Sequence, residues 1–216
     1  MATMMHVGDI AELLSDGKTH FNLSPAVLVE HSIRRNEAQL AANGALVGYT
    51  NRTGRSPKDK FIVKDEMTAN KVGWGAVNQP LDAGKFDALY DRVMEHLQGR
   101  ELFVQDLFCG ADSSYRLPVR FVNEYAWHNL FVRQLFIRPQ PQELKSHHAE
   151  FTVICAPEFK ADPRRDGTNS EVFVLLNFTR RTVLIGGTSY AGEMKKSIFS
   201  IMNFLLPARN VFPMHC

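Results

Sequence analysis

Thr182-Val183-Leu184-Ile185-Gly186-Gly187-Thr188-Ser189-Tyr190-Ala191-Gly192-Glu193-Met194-Lys195-Lys196 runs from a β-branched strand through a glycine-rich turn into a helix. Thr182 to Ile185 has the composition of a buried strand. The helix reads from about Ala191 to Leu206, where Pro207 stops it. A glycine turn that enters a helix can cradle an anion on its backbone N–H groups. Lys195 and Lys196 stand near the positive end of the helix dipole, which costs a few tenths of a kcal/mol each unless an anion is close. Either an anion belongs there, or these are exposed lysines that Glu193 offsets.

Outward from this unit, Phe86, Leu89, Tyr90, Val93 and Leu97 fall at spacings of three and four, predicting a helix over Leu81 to Gln98 that Gly99 ends. Another helix opens at Ser24-Pro25 and is expected to close at Asn43-Gly44, with a third over Asn123 to Phe136. Strands are expected at Ala45 to Thr50, Phe61 to Val63, Leu102 to Phe108, Leu117 to Val122, Phe151 to Cys155 and Val172 to Asn177. Helices and strands interleave without strict alternation. The fold class is therefore α/β with α+β character, a mixed β-sheet with helices packed on it. There is no internal repeat, low-complexity tract or linker.

At about 150 residues per domain, 216 residues make one large domain or one lobe of something bigger. Twenty-five Lys+Arg against 23 Asp+Glu leave a formal charge of +2, too little to predict a nucleic-acid binder. No apolar run approaches the roughly 18 to 20 residues of a membrane helix, and the start MATMMHVGDI lacks the features of a signal peptide, so a cytoplasmic protein is expected. Cys109, Cys155 and Cys216 are few, scattered and without a CxxC pair, which predicts reduced, mostly buried thiols. Without a secretory signal, Asn51-Arg52-Thr53 and Asn177-Phe178-Thr179 read as chance glycosylation matches.

The second polar segment is Asn51-Arg52-Thr53-Gly54-Arg55-Ser56-Pro57-Lys58-Asp59-Lys60, with four cations between two strands. Arginine presents a planar fork of donors to carboxylate or phosphate, and glycine lets backbone amides approach. The same composition also suits a solvated basic turn. No GxxxxGK[ST] occurs, so a nucleotide-binding loop of that kind is absent. His147-His148 reads as solvated, and His215 alone reads as a tail residue.

TGRSPKDKFIV (53–63) and GTSYAGEMKKSIFSIMNFLLP (187–207), with LFVQDLFCGAD (102–112), LPVRFVNEYAW (117–127) and LFVRQLFIRP (130–139) in order between them, resemble the ATP-dependent phosphoenolpyruvate carboxykinases over nearly the whole chain. The resemblance implies interconversion of oxaloacetate plus ATP with phosphoenolpyruvate, CO2 and ADP, a gluconeogenic reaction that uses Mn2+ and Mg-ATP. It implies that Arg55 grips the substrate carboxylate and that Tyr190 lines the substrate and CO2 site. Lys196 resembles a lysine that ligates manganese and reaches the nucleotide phosphate, Lys195 is its neighbour in the same site, and His215 resembles a second manganese ligand. A lysine ligates a metal only through its neutral amine, which nearby cations such as Lys195 and Arg55 favour.

The family's GxxGTGKT loop, its metal-binding aspartate and its adenine pocket have no counterpart here. Residues 1–216 are thus expected to form the N-terminal substrate-binding domain of a bilobal enzyme, meeting ATP through an absent C-terminal lobe, inactive alone and holding no metal or nucleotide by themselves. No nucleic-acid or membrane partner is expected. The alternative is a standalone module that binds a dicarboxylate or phosphoenolpyruvate without catalysis.

Overall fold

The computed structural model describes residues 10–15 and 17–212. In chain order the elements are α1 (Ile10–Leu13), β1 (Thr19–Phe21), α2 (Pro25–Arg34), β2 (Ala38–Leu40), β3 (Leu46–Gly48), β4 (Lys60–Val63), β5 (Gln79–Leu81), α3 (Ala83–Leu97), β6 (Leu102–Cys109), β7 (Leu117–Asn123), α4 (Ala126–Leu135), α5 (Pro141–Leu144), β8 (Phe151–Ala156), α6 (Pro163–Asp166), β9 (Phe173–Asn177), β10 (Thr182–Gly186) and α7 (Gly192–Leu205). Eight strands form one sheet in the order β1-β6-β7-β8-β10-β9-β4-β5. The β6/β7 and β9/β10 pairs are antiparallel and the others parallel, which makes the sheet mixed, as expected from the sequence.

Every residue of β9 and β10 is buried because helices cover both faces. Val174, Leu176, Val183 and Ile185 point into one core with Ile198, Ile201 and Met202 of α7 and Val132 of α4. Their neighbours Phe173, Leu175 and Leu184 point into the other, with Phe86, Leu89, Val93 and Leu97 of α3. This is the alternation a pleated strand imposes. Asp82 caps α3 by accepting the Lys85 N–H at 3.1 Å.

One expected helix is too long. α2 begins at Pro25 behind its Ser24 cap, as expected, but ends at Arg34 rather than at Asn43-Gly44. Asn36 adopts a φ of 55°, a left-handed conformation that asparagine tolerates and that breaks the helix. The rest forms the β2/β3 hairpin, Ala38 opposite Gly48. The edge strands β1 and β5 have only three residues each and gave no usable periodicity.

Candidate functional site

The two polar segments meet at one edge of the sheet. Lys60 of β4 lies opposite Val174 of β9, and Phe173 of β9 lies opposite Gly186 of β10, so the loop entering β4 faces the turn leaving β10. β7, β8 and β10 all end at this edge, the usual location of sites in α/β sheets. The turn demands its glycines. Gly187 has a φ of 69°, and a β-carbon on Gly186 or Gly187 would collide with the Phe173 ring or the Glu171 carbonyl.

Two polar ties join the segments. The Asn51 N–H donates to Ser189 Oγ at 2.8 Å and the Ser189 N–H donates back to Asn51 Oδ1 at 3.0 Å, while Asn51 Nδ2 donates to the Gly187 carbonyl at 3.3 Å. The second tie is the Ser56 N–H, which donates to Glu193 Oε1 at 2.6 Å. From beneath, His128 of α4 donates from Nε2 to the Ser189 carbonyl at 2.8 Å, leaving Nδ1 facing the Cys155 thiol at 3.6 Å. Burial pushes the His128 pKa down to about 4 and raises that of the Cys155 thiol, so both groups stay neutral.

Beside these ties lies a cleft of about 360 Å³ whose walls include Arg55, Lys58, Lys60, Glu193 and Lys196. Arg55 is exposed, and none of the ion pairs among the described residues engages it. Burial, and then the Arg55 charge, hold the Lys60 ammonium below the usual lysine range, with Glu193 opposing them. Glu193 is 5% exposed. Burial raises its pKa, countered by the Ser56 N–H and then by Arg55. The Lys196 ammonium lies 4.9 Å from the centre of the Phe199 ring. Converging cations over a buried carboxylate suit a small polyanion.

Arg55 and Lys196 therefore share a cleft, but Lys195 does not join them. It lines a separate cleft of about 400 Å³ with Phe108, Leu135, Phe136 and Ile198. Tyr190 lines neither cleft; it is half-buried, and its ring lies over Gly192, where a β-carbon would sit 2.5 Å from Tyr190 Cε1. His215 lies outside the described residues. His147, read from the sequence as solvated, has a fully buried side chain with Nε2 3.1 Å from the Leu107 carbonyl. Cys109 and Cys155 are buried free thiols, as expected, and burial pushes the Cys109 pKa up to about 11.

Neither the pairing of Asn51 with Ser189 nor the support of the turn by His128 is legible in the sequence. Glu193 read there as a neighbour offsetting the lysines, whereas its side chain turns to the other loop. No helix among the described residues is long and apolar enough to cross a membrane.

A model of the phosphoenolpyruvate carboxykinase family matches residues 17–216. The phosphoenolpyruvate carboxykinase (ATP) of Geobacillus kaustophilus is 58% identical over 206 residues, covering 94% of this chain and 39% of that protein. The enzyme of the same name from Brevibacillus brevis is 58% identical over 212 residues, covering 97% and 40%. That of Bacillus cytotoxicus is 58% identical over 207 residues, covering 95% and 39%. The chain spans about two fifths of the length of these curated relatives. With the family match running through both polar segments and the sheet between them, the chain belongs to the phosphoenolpyruvate carboxykinase family.

Proposed function

We propose that residues 1–216 are the N-terminal, substrate-binding lobe of an ATP-dependent phosphoenolpyruvate carboxykinase, and that the Arg55/Lys60/Lys196 cleft receives oxaloacetate or phosphoenolpyruvate. The observation that carries this reading is the convergence of cations from two distant segments on one cleft, with Arg55 in no ion pair among the described residues. In the reaction, the bond between the β-carbon and its carboxylate breaks, CO2 leaves, and the enolate oxygen takes the γ-phosphoryl group of ATP, giving phosphoenolpyruvate and ADP. Arg55 would hold the remaining carboxylate through its two-pronged fork, and Lys196 would stabilise charge at the enolate oxygen. Tyr190 follows Ser189, so the Asn51–Ser189 tie would set where its backbone runs; its side chain lies outside this cleft, and a role on the CO2 side is what the family resemblance alone implies. ATP would come from the part of the enzyme these residues do not include, since they contain no GxxxxGK[ST].

Among the side chains lining the cleft, the Lys196 amine is a possible nitrogen donor to a divalent metal, whereas Glu193 Oε1 is already taken by the Ser56 N–H. Lys196, the family's nitrogen ligand by resemblance, does line this cleft, with His215 as the other ligand implied by the family. A divalent cation held there would supply positive charge opposite the enolate oxygen. The one trio of described residues with metal-ligand spacing, His20, His31 and Glu101, sits by the edge strand β1, away from this cleft. Arg34 and Arg35 already engage it.

Calorimetric titration of phosphoenolpyruvate into the purified chain tests the assignment. Saturable binding that weakens at least tenfold in Arg55→Ala is the expected result. The chain alone is expected to form no phosphoenolpyruvate from oxaloacetate and ATP, because its sequence contains no GxxxxGK[ST] loop to position the γ-phosphoryl group. Equal binding by the wild type and Arg55→Ala, or turnover by the isolated chain, would overturn the reading.

A further inference from the structure

We infer that Glu193 is a positioning residue, whose carboxylate holds the Arg55 loop in register with Lys196 by accepting the Ser56 N–H. The inference rests on the cleft assignment above for its consequence, but not for its geometry.

Arg55 and Lys58 belong to one loop, Lys60 to the start of β4 and Lys196 to α7, and all four line the same cleft. Four cations lining one cleft repel one another, and the loop that leads into β4 is exposed over most of its length. Asn51 ties one end of the loop to Ser189, and Gln79, Asn169 and Ser170 donate to Lys58 and Asp59 further along. Beside Arg55 itself the acceptor is a carboxylate, 5% exposed, in the first turn of α7. Its Oε1 lies 2.6 Å from the backbone nitrogen of Ser56, the residue next to Arg55. The tether thus starts three positions before Lys196 on the same helix and ends one position after Arg55 on the loop. A bond to a backbone N–H fixes where the chain runs and leaves the Arg55 guanidinium available to ligand.

An acidic group is otherwise a poor occupant of an anion cleft, because its charge repels the ligand. That conflict makes the role separable from a purely electrostatic one. Glu193→Gln keeps the acceptor oxygen at the same reach but removes the charge. Glu193→Asp keeps the charge but shortens the side chain by one methylene, so it cannot span to Ser56 without movement of the loop. Both changes are small, and a cooperative thermal transition in each variant, whatever its midpoint, would confirm that both fold.

Two readouts are made on the same three proteins. Amide hydrogen exchange at Ser56 is expected to stay within about threefold of wild type in Glu193→Gln and to accelerate about tenfold or more in Glu193→Asp. Phosphoenolpyruvate is expected to bind Glu193→Gln as tightly as wild type or more tightly, and to bind Glu193→Asp at least threefold more weakly. Results that follow charge instead, with Asp like wild type and Gln perturbed, would overturn the inference. So would identical behaviour of all three proteins. If the wild-type chain binds no phosphoenolpyruvate, the cleft assignment fails, while the exchange of Ser56 still decides whether Glu193 tethers the loop.

Discussion

Lys195 and Lys196 are joined by one peptide bond yet line clefts of opposite character. Around Lys196 stand Arg55, Lys58, Lys60 and Glu193, and around Lys195 stand Phe108, Leu135, Phe136 and Ile198. A helix turns about 100° per residue, so neighbours on α7 look in different directions whatever their chemistry. The polar cleft is held by hydrogen bonds between segments far apart in sequence, and the apolar one by the side chains of the core itself. A pair of like residues in a motif is thus no guarantee of a shared task.

The largest expected effect tests the apolar side. Ile198 is fully buried and belongs both to the core and to the Lys195 cleft. Ile198→Ala should cost about 2–5 kcal/mol in urea unfolding. Val77, 73% exposed on the rim of the cationic cleft, should tolerate Ala within about 0.5 kcal/mol. Similar costs at both positions would erase the contrast.

The polar wall should show its own signature in pH. His128, which supports Ser189, has a folded pKa of about 4 against an ordinary value of 6.5. The unfolded chain therefore takes up the proton first. Stability from this residue is complete above pH 6.5 and is lost as pH falls toward 4, by up to about 3 kcal/mol. Thermal unfolding across that range should show the loss, and His128→Gln should flatten it. A wild-type profile already flat between pH 6.5 and 4 would remove His128 from this role.

The smallest effect separates the lysines themselves. Lys196→Ala should weaken phosphoenolpyruvate binding about tenfold or more, as expected for loss of a hydrogen bond to a charged partner. Lys195→Ala should change it by less than about threefold, a distant charge screened by solvent. Equal losses would mean that the two clefts act as one site.

Much of the architecture was legible because it depends on local pattern. The apolar stripe of Phe86, Leu89, Tyr90, Val93 and Leu97 marked α3, and the β-branched runs marked β8, β9 and β10 within a residue or two. The pattern failed where a single backbone dihedral decided the outcome: Asn36 at a φ of 55° converts an expected helix into a hairpin. The site was legible as two cationic segments, and Arg55 and Lys196 do line one cleft. The separate cleft of Lys195 was not, because the direction of a side chain on a helix depends on what packs against each face.

The sequence by itself determined the elements, the mixed α/β class and the chemistry of both loops, since composition, periodicity and turn residues act over a few positions. Tertiary structure alone decided the order of the strands, and with it that the loop before β4 abuts the turn after β10. Only that adjacency lets Asn51 bond Ser189 and lets Glu193 reach Ser56. A hydrogen bond needs its partners within about 3 Å, and no local feature of either segment encodes that proximity.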